Sequence, residues 1–203
     1  MIMEELYVRY SQLKPCEESI AKALALLLEC YRNGGKVLVC GNGGSASDAE
    51  HIVGELLKKF RVHRDIDKTI AAKLPHDLVA RLEGALPAVS LVSMCGIISA
   101  FANDVAWETA FAQQTYGLGQ SGDVLIALST SGNSVNCVNA ALVAHAKGMK
   151  VIAMTGAGGG RLGELADAAV RVPETETYKI QELHLPVYHA LCAELEARLF
   201  KPN

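Results

Sequence analysis

The chain has 203 residues, half of them hydrophobic and 20% charged, and a formal charge of -3. That length suits one generous domain, and the near-balance of charge gives no electrostatic basis for gripping nucleic acid or another polyanion. The longest apolar run, around residues 21–28, falls short of the ~20 residues of a spanning helix and is interrupted by Lys22, so no membrane partner is expected.

The first ten residues, MIMEELYVRY, carry no basic-then-apolar leader, which sets the expectation of a cytoplasmic protein. Six cysteines form no CxxC pair and no zinc-finger spacing. They read as small buried hydrophobes in a reducing compartment.

In chain order, Ile20, Ala23, Leu24, Leu27 and Leu28 recur at helical spacing and Asn33-Gly34-Gly35 stops the run. This predicts one long helix over about 5–33. A unit then repeats: a short β-rich run, a glycine or serine cluster, and a helical segment. The runs are 36–40, 88–93, 123–128, 150–155 and 168–172, with helices at about 45–60, 96–118, 134–147 and 178–200. The runs are almost continuously hydrophobic, as when helices cover both faces of a sheet. The expected fold is therefore α/β: a three-layer αβα sandwich on a five-stranded parallel, doubly wound sheet, with the whole chain one domain. Residues 61–86 break the rhythm with several charges and a short helix near 75–83, and they read as an excursion on the sheet rim. Pro186, inside the last helix, is expected to bend or locally break it.

Ligands of open α/β sheets bind beyond the carboxyl ends of the strands, where strand order reverses. Two strand-end loops are suited to an anion. Asn42-Gly43-Gly44-Ser45 lets backbone N–H groups approach closely and opens a helix. Ser129-Thr130-Ser131-Gly132-Asn133-Ser134 supplies four hydroxyls and opens another. If their strands are neighbours, both loops cradle one phosphate. A dinucleotide site fits poorly, because Ala46 holds the third glycine position of G-x-G-x-x-G and no acidic residue ends the second strand. No Gly-Lys-Ser/Thr follows any strand, so a P-loop is excluded. The glycine cluster 156–160 lacks hydroxyls and reads as a turn.

His51 and Glu55 stand i, i+4 on the helix that the first loop opens and share a face. On the last helix, Gln181, Glu182, His184 and His189 interrupt an apolar run. Helical geometry alone does not rank the two histidines.

GNGGSASDAEHIVGEL, FANDVAWE, STSGNS and KIQELHLPVYH, in that order, resemble the sugar isomerase (SIS) domain family, and within it the phosphoheptose isomerases, over nearly the whole chain. The resemblance implies conversion of sedoheptulose 7-phosphate to D-glycero-D-manno-heptose 7-phosphate through an enediol, in heptose precursor synthesis for bacterial surface polysaccharide. It assigns Asn42, Gly43, Gly44, Ser45, Ser129, Thr130, Ser131, Ser134 and Gln181 to the sugar phosphate, and Asn103 and Asp104 to the sugar hydroxyls. It implies one Zn2+ per subunit on His51, Glu55, Gln181 and His189, with Glu55 and His189 as the acid/base pair. This comparison, not the helical wheel, prefers His189 to His184. It also implies a homotetramer with interfacial active sites.

The chain departs from the pattern near the pocket rim. It has Ser93-Met94-Cys95-Gly96 where family members usually carry a Thr-Asp segment, a longer 61–86 connection, and Thr177-Tyr178-Lys179 where some place an aspartate. The competing expectations are an isomerase of another sugar phosphate and a non-catalytic SIS protein that binds a sugar phosphate or the replication initiator DnaA.

Overall fold

The computed structural model describes residues 2–200. Five strands, β1 (Val37–Gly41), β2 (Ala88–Ser90), β3 (Val124–Leu128), β4 (Lys150–Thr155) and β5 (Ala168–Arg171), form one sheet. Its order is β2-β1-β3-β4-β5 and every pairing is parallel. Alternate residues of one strand face opposite helical layers. In β1, Val37 and Val39 join the core shared with α2 (Glu17–Arg32), α3 (Gly44–Leu57) and α10 (Thr177–Leu199). Leu38 and Cys40 join the core of the opposite layer, which includes Phe111 of α7 (Ala110–Leu118), Ala140 of α8 (Val135–Ala146) and Leu162 of α9 (Gly160–Leu165). Both faces are covered, which is why these strands are hydrophobic without alternation.

The amino-terminal helix differs from its expected form. It is divided into α1 (Ile2–Arg9), a 3-10 segment at Ser11–Cys16 and α2. Pro15 lies in the 3-10 segment; lacking an N–H and colliding with the carbonyl four residues back, it disfavours a continuous α-helix there. Glu17 and Glu18 then occupy the first turn of α2, where negative charge favours the helix dipole. Pro186 does not break its helix. It is buried in α10, which runs on to Leu199 without a break.

The helix expected over 96–118 is also divided, into α6 (Cys95–Asp104), a 3-10 turn at Trp107–Thr109, and α7. Strand β2 ends at Ser90, short of the expected 93, and the hydroxyls of Ser90 and, beyond the strand, Ser93 donate to the Glu50 carboxylate on α3. The 61–86 excursion carries two one-turn helices, α4 (Lys68–Ala71) and α5 (His76–Val79), with no buried residue in either. Its root is anchored far more firmly than its tip: Arg64 and Glu196 are both fully buried and paired at 2.7 Å.

Candidate active site

Chain order reverses between β1 and β3, which lie side by side, so the loops after them share the switch point. Gly43, between β1 and α3, has φ 56, a conformation that favours glycine. Ser45 is buried in the first turn of α3. In the second loop the Ser129 and Ser134 hydroxyl oxygens stand 2.8 Å apart, and the Ser134 N–H donates to Ser129 Oγ at 3.3 Å. The loops are tied together by a reciprocal amide pair: Asn42 Nδ2 donates to Asn136 Oδ1 at 2.9 Å and Asn136 Nδ2 to Asn42 Oδ1 at 2.8 Å. Asn136 was missed by sequence reasoning; its one signal is a polar residue in the first turn of a largely apolar helix.

The 156–160 turn has a role after all. Gly132 has φ 70, and a Cβ there would come within 1.9 Å of the Gly159 carbonyl oxygen. Leu162 N–H donates to the Gly132 carbonyl at 2.8 Å and Arg161 N–H to Asn133 Oδ1 at 3.0 Å. The turn and α9 are a backbone brace under the serine loop. Thr130 and Ser131 lie on that braced loop, Ser131 exposed. Two helix starts, those of α3 and α8, thus meet at one place lined by hydroxyls, as an anion site requires.

Two turns along α3, His51 Nε2 lies 3.3 Å from Glu55 Oε1. The α10 helix brings His189 Nε2 to 3.4 Å from the same nitrogen. His189 is half-buried; burial first, and then the neighbouring His51, hold its imidazole below the usual histidine range, with Glu55 acting in the opposite sense. His184 goes elsewhere. It is fully buried, 3.3 Å from the Thr155 carbonyl oxygen, and burial drives its pKa down to about 4. The structure therefore separates the two histidines that helical geometry left level.

Gln181 stands with the loops rather than with this trio. A Cβ on Gly44 would come within 2.7 Å of its amide atoms, and the eight residues to His189 span about 12 Å of helix. Asn103 and Asp104 are exposed at the end of α6, where Asn103 Nδ2 donates to Asp104 Oδ1 at 2.8 Å. Among the described residues, neither forms a hydrogen bond with either loop or with the trio. A cavity of about 440 Å³ opens beside His189, lined also by Tyr10, Phe60 and Arg61.

The model of the SIS domain matches residues 4–156. The chain belongs to the SIS-domain family. Among SIS proteins, it is 38% identical over 200 residues to a phosphoheptose isomerase of Shewanella baltica, covering 97% of this chain and 92% of that one. The structure of phosphoheptose isomerase GmhA from Neisseria gonorrhoeae matches with a TM-score of 0.74 and 31% identity, over 97% of this chain and all of that one. A phosphoheptose isomerase from Francisella tularensis gives 0.74 and 32%, over 96% and 98%. The five-stranded parallel sheet is that of this SIS family.

Whether the SIS chain's own donors suit a metal is a question of kind and spacing. Two imidazoles and a carboxylate are zinc ligands, and around a tetrahedral ion with bonds of about 2.0–2.1 Å neighbouring donor atoms stand about 3.3–3.4 Å apart. The His51–Glu55 and His51–His189 separations have that value. Among the described residues no trio of His, Cys, Asp or Glu already encloses a common point. The fit therefore lies in donor type and these two spacings, with a side-chain rotation needed to close the third. Gln181 would join such a set only by swinging away from Gly44.

Proposed function

We propose that this SIS protein is an aldose–ketose isomerase converting sedoheptulose 7-phosphate to D-glycero-D-manno-heptose 7-phosphate, which supplies a heptose precursor of bacterial surface polysaccharide. One observation carries the reading: His189 is delivered by α10 to the face of His51 and Glu55, on a helix that starts at the hydroxyl-lined loops. A phosphate seated on Ser45, Ser129, Thr130, Ser131 and Ser134, with Asn42, Gly43 and Gly44 offering backbone, leaves the sugar chain to run along α3. The about 10 Å from Gly44 to His51 is spanned by an extended chain of seven carbons.

In the forward direction one of Glu55 and His189 takes a proton from C1 of the ketose. The other returns a proton to C2, and the hydroxyl proton passes from O1 to O2, so that the C2 carbonyl becomes a C1 aldehyde. Each positioned acid or base is worth about 10²–10⁴ in rate. Burial and the neighbouring His51 hold the His189 imidazole below the usual range, which favours its neutral, proton-accepting form. Zinc on His51, Glu55 and His189, with Gln181 as the fourth donor of the expected set, would supply carbonyl polarisation and stabilisation of the enediolate charge. Asn103 and Asp104 are the residues that the family resemblance assigns to the sugar hydroxyls, in a cytoplasmic homotetramer with interfacial active sites. A cavity of about 600 Å³ among α1, α2 and the end of α10, lined by Met3, Leu24 and Leu28, is consistent with helix docking between copies.

The test is incubation with sedoheptulose 7-phosphate in D₂O, read by NMR. Deuterium at C1 of the recovered ketose and at C2 of the aldose is the expected result. No exchange into any sugar phosphate would leave a binding protein; exchange only into another sugar phosphate would reassign the substrate.

A further inference from the structure

Tyr188, next to His189 in the chain, is 2% exposed. Its ring meets both histidines edge-on, at 5.4 Å from His51 and 5.0 Å from His189 between centroids. With the ring held, the hydroxyl has a fixed place between two groups of α3: Asp48 Oδ1 at 3.2 Å and His51 Nδ1 at 3.0 Å. Asp48 and His51 are three residues apart on one helix face, so one hydroxyl reaches both. The second carboxylate oxygen, Asp48 Oδ2, is buried without a hydrogen-bond partner.

An ionised carboxylate can only accept. The one proton of the Tyr188 hydroxyl therefore goes to Asp48, and its oxygen is left as an acceptor. His51 satisfies that acceptor only with its proton on Nδ1. In the neutral imidazole Nε2 then carries a bare lone pair, 3.3 Å from Glu55 Oε1 and 3.4 Å from His189 Nε2.

We propose that Tyr188 is a positioning residue that, with Asp48, fixes His51 as the Nδ1–H tautomer and turns an unprotonated Nε2 towards Glu55 and His189. Without the tyrosine hydroxyl, the satisfied alternative is an Nε2–H donating to Glu55, whose proton any metal must displace. The inference deepens the reading of His51 as a metal ligand, yet the tautomer is a property of the metal-free protein and is measured apart from it. Groups that fix a ligating histidine from behind are worth about 10–100-fold in metal affinity.

The experiment is long-range ¹H–¹⁵N NMR of the metal-free protein at pH 8, with the His51 signals assigned by their loss in His51→Gln. Wild type should show Nδ1–H. Tyr188→Phe, which keeps the ring, should shift His51 to Nε2–H and weaken zinc about 10–100-fold in chelator competition. Asp48→Asn keeps the tyrosine, and its amide N–H can donate to the phenol oxygen, so the same tautomer shift is expected if Tyr188→Phe fails to fold. A wild-type Nε2–H, or a Tyr188→Phe protein with tautomer and zinc affinity both within twofold of wild type, overturns the proposal. Should wild type bind no zinc while the tautomer shifts as stated, the ligand reading falls and the positioning role stands.

Discussion

Two histidines five residues apart on α10 have opposite surroundings, and each supports a prediction. His184 is sealed in the core with Nδ1 unpartnered and Nε2 against the Thr155 carbonyl. Protonating it would bury a second N–H and a charge, which is why its pKa falls from 6.5 to about 4. The unfolded chain binds that proton first on acidification. The stability contribution is therefore whole above about pH 6.5 and disappears as pH falls towards 4. At about 1.4 kcal/mol per pH unit, the loss is on the order of 3 kcal/mol. Urea titrations between pH 7.5 and 4.5 should show this decline in wild type and a flatter one in His184→Leu; parallel slopes would refute it. For the site itself, Glu55→Gln keeps shape and removes the carboxylate from the proposed acid/base pair. Turnover of the ketose phosphate should drop about 10²–10⁴-fold, and a value within about threefold of wild type would remove Glu55 from the chemistry.

At the scale of elements, the legible parts were those whose signal is local. Five hydrophobic runs, each followed by a small-residue loop, mark the parallel sheet, and Asn42–Ser45 and Ser129–Ser134 mark its switch point. What stayed hidden depends on contacts far apart in sequence. Nothing near Arg64 indicates that it is buried, because its partner Glu196 lies 132 residues away. The Asn42–Asn136 and Tyr188–His51 pairs are invisible for the same reason. The break at Ser11–Cys16 has a local mark in Pro15, whereas the apolar periodicity from Ile20 onward by itself reads as one continuous helix. The Arg64–Glu196 pair carries its own prediction. Burial alone would raise the Glu196 carboxyl, but the N–H groups of Phe60 and Arg61, the Arg64 guanidinium and the Val62 N–H together hold it below the usual carboxylate range. Arg64 in turn donates to the carbonyls of Leu56 at 2.7 Å and Glu55 at 3.0 Å, closing the last turn of α3. Glu196→Ala leaves a buried cation and three N–H groups unmatched, at a cost of about 3–5 kcal/mol in chemical denaturation. A loss under 1 kcal/mol would mean the excursion's root is held by other contacts.

On the scale of the whole molecule, the candidate site joins parts that no single element contains. The β1 loop, the β3 loop and α10 converge there, and the serine loop rests on the turn before α9. A ligand that bridges them binds only the folded chain, so its free energy adds to the stability of the entire sheet. At a sugar-phosphate concentration 100 times Kd the added stability is about 2.7 kcal/mol. For a domain of this size each kcal/mol moves Tm by about 2–4 °C, so sedoheptulose 7-phosphate should raise Tm by about 5–10 °C. Ser129→Ala with Ser134→Ala removes the two hydroxyls that face each other at 2.8 Å, and that double variant should lose most of the rise while unfolding near the wild-type temperature without ligand. Glu55→Gln should keep the rise, because it alters the proposed acid/base pair and leaves both serine-bearing loops untouched. If the double serine variant is stabilised as strongly as wild type, the phosphate is seated elsewhere, and the orientation of the sugar along α3 towards His189 has to be redrawn.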